Sequence, residues 1–74
     1  MKLWLLRPKK NIPFFDVVEG FVIRAETERN ARKMASKACG DEGPGLWKLK
    51  TLSTCVELTS NGPEEIIVRN FNSG

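Results

Sequence analysis

Seventy-four residues with 12 Lys and Arg against 9 Asp and Glu, a formal charge of +3 and a hydrophobic share of 41% describe one small globular domain, 1–74. Histidine and tyrosine are both absent, which removes the commonest general base, the usual nucleophile triads and most zinc sites, so neither an enzyme nor a cofactor is expected. No run approaches the roughly 18 apolar residues of a membrane span, and the apolar part of MKLWLLRPKK is too short and too soon interrupted for a signal peptide. The expectation is a cytoplasmic protein with no membrane contact.

In chain order, residues 2 to 6, KLWLL, form a short apolar run ending at Arg7-Pro8, of a length that suits a strand. Leu3 and Leu5 point one way, Trp4 and Leu6 the other. A strand apolar on both sides is either central and covered or shows one face to a partner, and a single helix covers only one side of a sheet. RPKKNIP then reads as a loop returning the chain antiparallel, and FFDVVEGFVIRA, from Phe14, as a second strand with a bend at Gly20.

The segment TERNARKMASKAC, from Thr27 to Cys39, reads as the only helix. Ala31, Met34, Ala35 and Ala38 fall within about 100° of one another on a helical wheel and predict the core stripe. Opposite them Arg29, Arg32, Lys33 and Lys37 predict a basic ridge facing water. Thr27 suits the N-cap, Glu28 the positive end of the helix dipole and Lys37 the negative end, with Gly40 as the left-handed residue that closes the helix.

GDEGPG holds glycines but follows a helix and carries Asp41 and Glu42 where a phosphate cradle needs amides, so it reads as a solvated loop before a weak cation site or a nucleotide loop. LWKLKTLSTCVEL gives a strand in which Leu52, Thr54, Val56 and Leu58 alternate with Ser53, Cys55 and Glu57. Trp47 reads as a lid on the core before a binding hot spot. TSNGP is a turn, and EEIIVRNF the last strand, hairpin-paired to the one before. Cys39 and Cys55 read as reduced thiols, although their spacing leaves a disulfide open. The predicted architecture is α+β, ββαββ: a four-stranded, mainly antiparallel sheet with one helix packed across one face.

Two surfaces then stand out as partner-binding: the ridge of Arg29, Arg32, Lys33 and Lys37, and an uncovered sheet face with Trp4, Leu6, Ile67 and Phe71. A one-signed ridge suits nucleic-acid phosphate or an acidic protein surface, and the bare sheet face suits a partner or a homodimer. A merely solvated helix face is the bland alternative.

The pattern GFVIRAETERNARKMASKACGDEGP, with the later Trp47, STCVEL and the ending IIVRNFNSG, resembles a group of small phage and prophage proteins. In these an AET-type helix start, a GDE loop, a tryptophan and a terminal FN-small-Gly recur in that order; here Asn30 stands where they often carry an acid. The strand, alanine-rich basic helix and covering sheet are, more loosely, similar to small anti-CRISPR proteins. That resemblance implies a non-catalytic inhibitor occupying a surface of a host CRISPR effector complex, with the ridge residues as its contacts. The alternative is a small phage accessory protein binding nucleic acid through the same helix face.

Overall fold

The apolar run at the N-terminus becomes β1 (Lys2–Pro8), the middle strand of a three-stranded antiparallel sheet in the order β2-β1-β3. The structure, a computed structural model, describes residues 1–12 and 15–69. β2 (Phe21–Ala25) pairs along one edge of β1, with Leu6 opposite Phe21 and Trp4 opposite Ile23. β3 (Ser53–Leu58) pairs along the other, with Leu6 opposite Cys55 and Leu5 opposite Val56. Both flanking strands run against β1 and therefore parallel to each other, and parallel strands require a crossover. The crossover is α1 (Glu28–Lys37) followed by α2 (Pro44–Lys48). Leu6, Ile23 and Ala25 from the sheet meet Ala31 and Ala35 from α1 and Trp47 from α2 in one core.

The expected four-stranded ββαββ sheet with one helix is thus corrected to three strands and two helices. Among the described residues, 64–69 form no strand. The turn explains why: Pro63 has no N–H to give a ladder, Gly62 sits at φ 146°, and the Thr59 hydroxyl donates to the Asn61 carbonyl instead of a cross-strand partner. Pro13, Phe14 and residues 70–74, including Phe71, lie outside the described residues. The second helix arises where a strand was expected: Gly43 at φ 85° hands the chain to Pro44, whose fixed φ suits a first helical position.

The second strand is also shorter than its composition suggests. Residues 15–20 bond to the loop after α1 and not to a neighbouring strand: the Asp16 carbonyl accepts from the Asp41 N–H, and the Val18 N–H donates to the Glu42 carboxylate. Gly40 matters for this docking. Its φ is not positive, contrary to the closing role expected of it, but a Cβ there would run into the Asp16 carbonyl oxygen. Thr27 does cap α1, accepting from the Asn30 N–H at 3.1 Å.

α1 is turned by about 80° from the expected orientation on a wheel of 100° per residue. Its buried residues are Ala31, Arg32, Ala35 and Ser36, while Met34 is 50% exposed and Ala38 is exposed. The helices cover the β2 face of Phe21 and Ile23, as its direct run into α1 requires, but the faces of β1 are reversed. Trp4 and Leu6 point toward the helices, and the bare face carries Leu3, Leu5, Val22, Val56 and Leu58. β3 accordingly sends Ser53 and Cys55 inward, leaving Val56 more than half exposed.

Candidate cationic docking site

The turn of α1 follows from one guanidinium. Arg32 is 7% exposed, and a buried charge is tolerated only when paired and hydrogen-bonded. Its Nε donates to Glu28 Oε2 at 2.8 Å, one helical turn earlier. Nη1 donates to the Trp47 carbonyl at 3.0 Å and to Ser53 Oγ at 2.9 Å, and Nη2 donates to the Ser53 carbonyl at 3.1 Å. One side chain thereby ties α1 to α2 and to the first residue of β3. The planar fork of five donors suits this arrangement, and lysine could not reproduce it.

Above Arg32, α1 and the end of α2 enclose an open groove of about 830 Å³. Arg29 and Lys33 rim one side from successive turns of α1; Lys48, in the last turn of α2, and Lys50, in the turn that follows, rim the other. These four cations are exposed and make no ion pair among the described residues. Glu28 and Arg32 in the floor neutralise each other, so the rim carries the groove's net charge. Asn30 adds a neutral amide, and the lining contains no aromatic ring. The arrangement offers point charges over a wide opening, which suits a run of carboxylates or phosphates and gives no platform for stacked bases.

Of the residues predicted to bind a partner, Arg29 and Lys33 stand together on this rim. Lys37 is exposed one turn further along α1, on the same row. Arg32 is removed from the ridge by its inward bonds. Trp4 lies elsewhere, half-buried against the core with its indole N–H donating to the Ala25 carbonyl at 3.0 Å. Lys48 and Lys50 were missed because LWKLK reads as strand, which would send them away from α1. The signal for Arg32 was present in the sequence: Glu28 precedes it by four residues, the spacing of a helical ion pair.

The loop acids do not form a second site. Glu42 Oε1 accepts from the Gly40 N–H at 2.9 Å and the Val18 N–H at 3.1 Å, while Oε2 accepts from the Trp47 indole at 2.7 Å. Burial alone would raise its pKa, but the hydrogen bonds from Trp47 and the backbone outweigh this and hold the carboxyl below its usual value of 4.5. Trp47 itself is fully buried and meets Phe21 edge-on, with ring centres 4.9 Å apart at 83°. Cys39 and Cys55 are both free and half-buried. Burial, together with the Glu28 carboxylate, pushes the Cys55 thiol pKa up against the opposing pull of Arg32. Among the described residues no group of acids and cysteines is placed to hold a metal ion, and no helix is long and apolar enough to cross a membrane. The chain matches no protein-family model, no curated protein and no solved structure.

Proposed function

We propose that this protein is a phage-encoded, non-catalytic binding protein that inhibits a bacterial defence system, with a CRISPR effector complex as its target, by setting its cationic groove on an anionic surface of that complex. The observation that carries the reading is the convergence of Arg29, Lys33, Lys48 and Lys50, from two separate elements, on one groove without an ion-pair partner among the described residues. A helix that is only solvated interleaves acids among its bases, and the exposed row Arg29, Lys33, Lys37 has none. The sequence resemblance to small phage and anti-CRISPR proteins supplies the choice of target. Electrostatic complementarity of this kind sets association rate and partner choice.

The test is plaque formation. In hosts with active CRISPR interference, expression of the chain is expected to restore infection by a targeted phage, and Lys33→Glu with Lys48→Glu to abolish the rescue. No rescue in any such host, or full rescue by the charge-reversed variant, refutes the reading.

A second reading, a nucleic-acid-binding accessory protein, is favoured by the aromatic-free lining, which fits contact with a phosphate backbone and no base recognition. Neutralising four phosphates predicts that log affinity for duplex DNA falls against log salt with a slope of about −3.6. Salt-independent or absent binding removes this second reading.

A further inference from the structure

The face of the sheet turned away from the helices is independent of the groove. Across its middle run Val22, Leu5 and Val56, one from each strand in register, and the next row holds Arg24, Leu3 and Leu58. Val22 is 58% and Val56 56% exposed, so no described part of the chain covers this row. Arg24 lies at one end of the face and Arg7 toward the other; neither makes an ion pair among the described residues, and no acid stands among the paired strand residues of this face. The complement to this surface is five aliphatic side chains' worth of apolar area with carboxylates beside it.

The chain carries such a segment itself. Directly after the turn that follows β3 come Glu64 and Glu65, then Ile66, Ile67 and Val68, all exposed. We infer that the bare sheet face is the interface of a homodimer, in which each copy lays its 64–68 segment along its partner's face, carboxylates toward Arg7 and Arg24. A surface meeting itself across a two-fold axis is the commonest form of assembly. Area also points to the segment taking part. Three strands about 4.8 Å apart over five residues of about 3.3 Å each give a footprint of roughly 240 Å², well below the ~800 Å² per partner of a stable interface. Without the two segments, contact would be marginal.

Sedimentation velocity of the full chain from about 1 μM to about 1 mM tests this. A concentration-dependent dimer is expected, with its dissociation constant raised at least tenfold by Val22→Arg or by Val56→Arg, both exposed positions where the monomer's melting temperature should hold. Arg7→Glu with Arg24→Glu should also weaken the dimer, and adding Glu64→Arg with Glu65→Arg to that variant should restore it. A monomer throughout the range overturns the proposal, as does a dimer indifferent to Val22→Arg and Val56→Arg, or a charge swap that fails to restore association.

Discussion

The two sides of α1 carry the same kind of residue in opposite roles. Arg32 faces inward with its donors matched to Glu28, Trp47 and Ser53, whereas Arg29 and Lys33, three residues before it and one after, face outward with no ion-pair partner among the described residues. Residue type does not separate a charge that builds the fold from one free to meet a partner. The difference lies in what the rotation of the helix brings within hydrogen-bonding distance.

Removing the inward charge should have the largest effect. Arg32→Ala leaves Glu28 half-buried without its cation and the acceptors of Trp47 and Ser53 unmet, and breaking such a buried pair costs about 3–5 kcal/mol. For a domain of this size that corresponds to a fall in Tm of roughly 12 °C or more in a calorimetric or circular-dichroism melt. Arg32→Lys should recover only part of it, because three donors on one nitrogen cannot make the four bonds that Arg32 spreads over Nε, Nη1 and Nη2.

The next effect falls on the loop that carries Trp47. Glu42→Gln loses charge-assisted bonds to Gly40, Val18 and the indole, for an expected cost of about 2 kcal/mol at neutral pH. Its folded pKa lies below 4.5, so its contribution is complete above that value and fades as pH falls through the lower, folded pKa. Melts between pH 6 and 2.5 should therefore show an acid-sensitive component in the wild type that is missing in Glu42→Gln. Gly40→Ala, which pushes a methyl group into the Asp16 carbonyl, should cost more than about 1 kcal/mol in the same assay.

The smallest stability effects belong to the outward charges. Lys33→Glu with Lys48→Glu should leave the melt within about 0.5 kcal/mol of the wild type, as surface changes away from structural contacts do, while partner binding is lost. Cys55 sharpens the inward side further. With its thiol held protonated by burial and Glu28, it should react with iodoacetamide at pH 7 more slowly than an exposed cysteine, and faster once denaturant releases it.

Much of the fold was legible where local chemistry decided it. β1, the Thr27 cap and the Phe21–Ala25 strand follow from apolar runs and capping geometry, and each stands near where the sequence puts it. What was not legible depended on contacts and turns that no hydrophobic period records. Trp47 does close the core, as the sequence suggests, but from a helix: Pro44 opens α2 and Glu42 receives the indole, and neither interaction appears as a period in LWKLK. The extra strand expected of EEIIVRNF rested on its composition and on reading TSNGP as a hairpin turn, which ignores that Pro63 cannot begin the ladder. Half of the groove was visible as Arg29 and Lys33. Its other wall, Lys48 and Lys50, exists only because the chain turns through α2 before entering β3.

If the proposed function holds, the groove's outward cations bind the target and Arg32 serves only the fold. A nuclease-treated pull-down from a CRISPR-competent host lysate, with tagged wild type beside the Lys33→Glu, Lys48→Glu variant, tests it most directly. CRISPR effector subunits should remain on the wild type and be absent from the equally stable variant. Effector subunits retained equally by both, or by neither, would contradict that function.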